Sequence, residues 1–397
     1  VDFAHSARAA DYRDRVAAFV RDEIEPVEAE YHRALAADPW VVPPLVADLK
    51  AKAREQGLWN LFLSSVSGLS TVEYAPLAEV MGRSPLAPEV FNCNAPDTGN
   101  MEVLHLYGSR AQRDRWLVPL LDGRIRSAFC MTEPNVASSD ATNMAATAVP
   151  DGDEVVLNGT KWFTTGLGHP NCSVIIFMGL TDPAAPRHAQ HSMVLVPLDT
   201  PGVKIERMLP VLGRHDEPYG HGEVSFADVR VPLDSVIAGL GRGFEIAQDR
   251  LGPGRVHHCM RLVGLAERAL ELACTRATSR VAFGKPLSDL GGNRERIANA
   301  RIAIDQARLL VLHAAWKLDT LGPAAARSEI SQIKVAVPTM ATAVIDMSIQ
   351  LHGAAGLTDD YPLAAAYTTA RALHLADGPT EVHQSLIARL ELQKYRP

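Results

Sequence analysis

Several clusters in this chain have side chains suited to chemistry, and most of them can be set aside. His188-Ala-Gln-His191 could supply two metal ligands, but it lies in a proline-rich stretch with no carboxylate at a fixed spacing. A solvated loop is the reading it supports. His257-His258 falls in a helical stretch beside Arg255 and Arg261 and reads as a polar helix face near an anion site. Gly239-Leu-Gly-Arg-Gly243 has half the spacing of a dinucleotide loop but follows no βαβ unit. There is neither a P-loop nor a GxSxG. The five cysteines are scattered without a CxxC, so no zinc site or disulfide framework is expected, and a reducing compartment fits.

Four segments remain. They are Phe129-Cys-Met-Thr-Glu-Pro134 with Ser138-Ser-Asp140; Leu157-Asn-Gly-Thr-Lys-Trp-Phe-Thr-Thr-Gly166; Arg280-Val-Ala-Phe-Gly-Lys-Pro286; and Gln350-Leu-His-Gly353 with Asp360-Tyr-Pro362 and Asp377-Gly-Pro-Thr-Glu381. By residue type alone each has two readings. Asp377 can take a proton or can shape an Asp-Gly turn. Arg280 is a permanently charged fork suited to phosphate, or half of a surface ion pair. Thr132, Phe163 and Thr165 are potential ligand contacts or ordinary strand residues.

In this order and spacing the four segments resemble the acyl-CoA dehydrogenase family, over about residues 40 to 392. Gly252-Pro-Gly-Arg-Val-His-His-Cys-Met-Arg261 and Ala376-Asp-Gly-Pro379 are most similar to the branch of family members ten and eleven. The resemblance implies FAD and an acyl-CoA substrate, oxidised between Cα and Cβ to a trans-2-enoyl-CoA. It implies electron transfer to an electron-transfer flavoprotein and a homo-oligomer, a dimer or tetramer. Phe129, Met131, Thr132, Ser139, Phe163 and Thr165 match cofactor positions. So do Gln350, Gly353 and Glu381, while Arg280 and Phe283 match residues that reach the FAD of a neighbouring subunit.

Asp377 stands where many members carry a catalytic glutamate. Arg255 and Gly378 match substrate-binding positions. A second base position of the family, on the bundle helix, aligns with Gly254, which has no side chain to serve. Thr368-Thr369 replaces the usual Arg-Asp pair, and Pro379 replaces a common threonine. Two other readings stay open. One is a flavin oxidase of the same fold, since nitroalkane oxidases of the superfamily use an aspartate base. The other is a catalytically silent acyl-CoA-binding scaffold.

These residues need a scaffold. At 397 residues the chain is long enough for two or three domains. Apolar residues make up 47% and charged residues 21%, which excludes a disordered chain. A net charge of −7 argues against nucleic acid as a partner. Of 39 basic residues 31 are arginine, a preference that coding bias explains more simply than phosphate recognition. No apolar run is long enough for a transmembrane segment, and no signal peptide is visible. The expected location is cytoplasmic in a bacterium, or the mitochondrial matrix or a peroxisome in a eukaryote.

Apolar spacing is helical up to about residue 124. Short β-prone runs follow: Val155–Leu157, Trp162–Thr165, Val174–Phe177 and Met193–Val196, with Asp151-Gly152 and Asn158-Gly159 as hairpin signals. Beyond Gly243 helix returns. Ile330, Ile333, Val337, Met340, Val344, Met347 and Leu351 form one bundle seam, with Pro338 expected to kink it, and Ile304, Ala307, Val311, Ala314 and Leu318 form a second. The expected fold is α+β, mostly α: an N-terminal helical domain (1–124), a middle β-barrel-like domain (125–237) and a C-terminal four-helix bundle (238–397).

Overall fold

The computed structural model describes residues 5–396. Helices of ten residues or more are α1 (Ala7–Phe19), α2 (Glu28–Ala37), α3 (Pro44–Glu55), α4 (Thr71–Met81), α5 (Asp97–Tyr107), α6 (Gly243–Ser279), α7 (Asn293–Leu321), α8 (Pro323–His352), α9 (Leu363–Ala372) and α10 (Thr380–Gln393). The strands between α5 and α6 are β1 (Arg126–Cys130), β2 (Thr147–Asp151), β3 (Glu154–Thr165), β4 (Cys172–Leu180), β5 (His191–Pro197), β6 (Val203–Met208) and β7 (His221–Pro232). The α–β–α order read from composition is therefore present. By contact the chain forms two compact units, and the helices of the first 124 residues contribute to both.

The first unit comprises Val1–Pro26, Ser64–Pro88 and Gly252–Pro397. Its helices start where side chains satisfy their first N–H groups: Ser6 accepts from Ala9 N, and Ser70 with Glu73 forms a capping box on α4. The two seams are real. Ile330, Ile333, Val337, Met340, Val344 and Leu351 of α8 are buried, as are Ile304, Ala307, Val311 and Ala314 of α7. The helix α8 runs on through the buried Pro338.

The second unit, Val27–Leu63 and Glu89–Leu251, holds a seven-stranded mixed sheet in the order β1-β4-β2-β3-β7-β6, with β5 paired to β4. Its core includes Ala128, Cys130, Leu157, Phe177, Val194, Val224 and Phe226. The start of β1 is fixed by a buried ion cluster in which Arg126 lies 2.7 Å from Glu89 and 2.8 Å from Asp97. Asp151-Gly152 is the turn between β2 and β3, with Gly152 at φ +66°.

Asn158-Gly159 is not a turn. β3 runs straight through it, with a register shift against β7. Glycine is needed there because a Cβ would lie 2.6 Å from that of Ala146, and Asn158 is used to bind Asp228 across the bulge. His191 is not in a solvated loop either. It opens β5 fully buried, with Nε2 3.3 Å from Met144 O. Among the described residues no helix is long and apolar enough to cross a membrane.

Candidate active site

In the second unit the expected cofactor residues gather where β1 ends. The chain leaves β1 through Met131 and Thr132, and two bonds staple this exit to β3: Lys161 Nζ to Met131 O at 3.0 Å and Trp162 N to Thr132 O at 2.9 Å. Lys161 is fully buried and also bonds Glu133 and Met178 O, each at 2.7 Å. Burial pulls its pKa down while Glu133 pulls it back up. Glu133 in turn accepts from Ala145 N and Ala146 N, so this buried pair has its bonds satisfied.

The staple leaves Thr132 exposed and Phe163 44% exposed, with Phe163 held at φ +48°. Thr165 Oγ1 lies 3.0 Å from His221 Nδ1. Phe129 is half-buried under the guanidinium of Arg250, 3.8 Å from its ring centroid. Ser139 sits further along, exposed in the loop.

In the first unit a cleft of about 430 Å³ is lined by Arg276, Arg280, Arg296, Asn293, Gln350 and Gly353, among others. Three expected residues therefore meet at one place, although Arg280 is some 70 positions from the other two. Arg276 and Arg296 were not expected, and Arg276 Nε is buried there with no hydrogen-bond partner. Gly353 has φ +64°, and a Cβ would meet nothing. Phe283 does not line the cleft; it stands 96% exposed at the tip of the hairpin formed by Val281–Ala282 and Lys285–Pro286. Glu381 is exposed in the first turn of α10.

Also in the first unit, Asp377 occupies the loop between α9 and α10 at φ +57°, followed by Gly378 at +99°. Its peptide is held from several sides. Arg255 Nε donates to Asp377 O at 3.0 Å, and His383 Nε2 reaches the same oxygen at 3.2 Å. Lys334 Nζ donates to Leu373 O and Ala376 O, each at 2.7 Å. Burial lowers the pKa of Arg255 and Lys334, and lowers that of His383 to about 4, so His383 is neutral at pH 7. Its Nδ1, 3.2 Å from Ser331 Oγ, then accepts while Nε2 donates.

The Asp377 side chain is 19% exposed, with Oδ2 3.6 Å from His258 Nε2. His257, read as part of a polar face, is instead buried edge-on to Tyr74 at 4.8 Å, because successive residues of α6 point about 100° apart. Gly254 lies within α6, where a Cβ would meet nothing within 4 Å. Sequence reasoning set His258 aside as part of a polar helix face and did not single out Lys334 or His383. For His258 the signal was its helical spacing from Gly254 and Arg255. The other two bind main-chain carbonyls, which no side-chain pattern reports.

The donor set fits FAD. A three-arginine cleft with an orphaned guanidinium nitrogen suits a pyrophosphate. The exposed Phe163 and Thr132 suit a flat heterocycle, and beside them the buried Trp162 Nε1 is without a partner.

Domain models of the acyl-CoA dehydrogenase family match almost end to end: the N-terminal domain over 6–124, the middle domain over 128–229 and the C-terminal domain over 241–392. The chain is 55% identical to "Acyl-CoA dehydrogenase family member 10" of Mus musculus over 389 residues, which is 96% of this chain and 36% of that protein. It is 53% identical to "Probable acyl-CoA dehydrogenase FadE2" of Mycobacterium tuberculosis over 99% of this chain and 98% of that one. It thus spans about a third of the first relative and nearly all of the second. The solved "Structure of a putative acyl-CoA dehydrogenase from Mycobacterium abscessus" superposes with a TM-score of 0.97 at 66% identity, covering 99% of this chain and 100% of that one. The chain belongs to the acyl-CoA dehydrogenase family, a family of FAD-dependent oxidoreductases.

Proposed function

We propose that this protein is an acyl-CoA dehydrogenase that converts an acyl-CoA to a trans-2-enoyl-CoA and passes the electrons to an electron-transfer flavoprotein. The observation that carries the proposal is Asp377: a carboxylate at the family's base position whose main chain is held by Arg255 and His383. When bound, FAD supplies the hydride acceptor. Thr132, Thr165 and Phe163 would hold its ring system, with Phe129 and Met131 beside them and Ser139 on the loop. Arg280 and Phe283 would reach the pyrophosphate and adenosine of a neighbouring subunit's FAD, with Gln350 and Gly353 beside Arg280 and Glu381 as a further contact.

The chain's own chemistry is proton abstraction. A thioester makes its α-hydrogen only moderately acidic, so the base must be aimed and the developing enolate charge hydrogen-bonded in a dry site. Asp377 takes that proton. Arg255 and Gly378 flank it, where a CoA thioester would lie.

The purified protein is expected to hold FAD non-covalently and to be yellow. Anaerobic mixing with a panel of acyl-CoAs should bleach the flavin for at least one chain length. Asp377→Asn keeps the side chain's shape and removes the base. It should retain FAD and lose on the order of 10³-fold in bleaching rate. Near-normal bleaching in that variant would place the base elsewhere. An aspartate rather than a glutamate at this position supports a second reading, a flavin oxidase. Oxygen consumption matching turnover would favour it over the dehydrogenase.

A further inference from the structure

The carboxylate of Asp377 has a neighbour that the reaction outlined above does not employ. His258 stands on α6 one turn after Gly254 and Arg255, with Nε2 3.6 Å from Asp377 Oδ2. On its other side Arg261, a further turn along, brings Nη2 to 3.5 Å from His258 Nδ1. A guanidinium only donates. Nδ1 is therefore the accepting nitrogen of that contact, which leaves Nε2, the nitrogen that faces Asp377, to carry a proton.

We infer that His258 is a positioning residue for Asp377: its Nε2–H aims the carboxylate and stabilises its ionised form, while Arg261 fixes the imidazole tautomer. The inference rests on the reading of Asp377 as the base. Arg255 and His383 hold the Asp377 peptide, and His258 faces the carboxylate itself. Aspartate is one methylene shorter than glutamate, and a misplacement of about 1 Å can cost 10²-fold in rate. A separation of 3.6 Å exceeds a hydrogen bond, and such contacts close when substrate fills a site.

Other charged and titratable groups face this pair. Arg255, Arg261 and Cys259 come from α6, Lys334 from α8 and His383 from α10. A substitution at 258 leaves all of them in place. The cost of losing Nε2–H should therefore appear in the ionisation of Asp377.

The step itself needs no oxidant. The α-hydrogen leaves as a proton to a carboxylate oxygen of Asp377, and the C–H electron pair stays on the acyl group as an enolate. Reversal in D2O delivers a deuteron. Acetyl-CoA has no β-hydrogen, so its α-hydrogen exchange isolates this step.

The test compares holoenzyme carrying His258→Leu, His258→Gln or Asp377→Asn. Three quantities are followed across pH: FAD content, deuterium entry into acetyl-CoA by NMR, and anaerobic flavin reduction by the best acyl-CoA of the panel. His258→Leu should keep FAD and lose about 10²-fold in both rates. Its acid limb should move to higher pH, because the ionised carboxylate has lost a donor. Glutamine places an amide N–H near the position of Nε2, so His258→Gln should recover to within about tenfold and return the acid limb.

A His258→Leu enzyme with wild-type rates and an unmoved acid limb would overturn the inference. So would a glutamine variant as impaired as the leucine one. If the leucine variant does not fold, His258→Asn, polar but too short to reach Asp377, replaces it in the comparison. Asp377→Asn separates the two claims. If it reacts at the wild-type rate, the base is misassigned. If it is inactive while His258→Leu is unaffected, the base stands and the role of His258 falls.

Discussion

Asp377 adopts a left-handed backbone, which costs a non-glycine residue about 1–3 kcal/mol unless its surroundings enforce it. Here they do: Arg255, His383 and Lys334 each bind a carbonyl of the same short loop. These three side chains act on the main chain, and the carboxylate faces His258. Glycine accepts the same φ without strain, so Asp377→Gly should fold and remove the base. Gly254 lies one turn before His258 on α6, in helical conformation with open space at its Cβ. By the sequence resemblance it matches a second base position of the family on this helix. Combining Gly254→Glu with Asp377→Gly should therefore regain about tenfold of the flavin-reduction rate lost in Asp377→Gly alone. The gain should be partial because the new side chain has no supporting shell. A folded, FAD-loaded double variant no faster than Asp377→Gly would refute either the helix alignment or the base assignment.

At the scale of elements, the first unit depends on two helices meeting backbone to backbone. A Cβ on Gly264 of α6 would sit 1.8 Å from Glu79 O of α4, and one on Gly82, just past α4, would sit 2.0 Å from Arg261 O. Gly264→Ala must push the helices apart. It should cost at least about 2 kcal/mol, read as a lower denaturant midpoint at unchanged m-value. A wild-type midpoint would show that the crossing can relax.

These glycines were not legible in the sequence, since close approach between distant helices has no local pattern. The seams were legible because helical period alone decides which face of α7 and α8 is buried. Asp151-Gly152 was legible as a turn. Asn158-Gly159 carries the same signal, yet tertiary contact with Ala146 and Asp228 uses it as a bulge. The site shows the same division. Arg280, Gln350 and Gly353 could be named from motif resemblance, and they line one cleft. Arg276 and Arg296 enter that cleft only through the packing of α6 against α7.

At the scale of the molecule, the chain exposes groups that ask for another surface. Phe283 is 96% exposed at a hairpin tip, at φ +52°. Ile302, Leu309 and Trp316 are 54%, 45% and 43% exposed and recur every seven residues, so they share one side of α7. Scattered exposed apolar residues are ordinary, but an aligned stripe on one helix is less so. The arginine cleft adds a charge argument. Three guanidinium groups crowd one site, which a bound pyrophosphate would neutralise. The sequence resemblance implies that Arg280 and Phe283 serve a neighbouring subunit's FAD. The protein is therefore expected to be at least a dimer, with each FAD held partly by a second chain. Arg280→Ala removes a charge-assisted bond and should weaken FAD retention about 10- to 100-fold. Dilution should release FAD in step with dissociation of the oligomer. Light scattering with flavin absorbance on the same eluted peak measures both. A monomeric peak that retains its flavin as tightly as the larger species would mean that Arg280 and Phe283 serve their own chain or none.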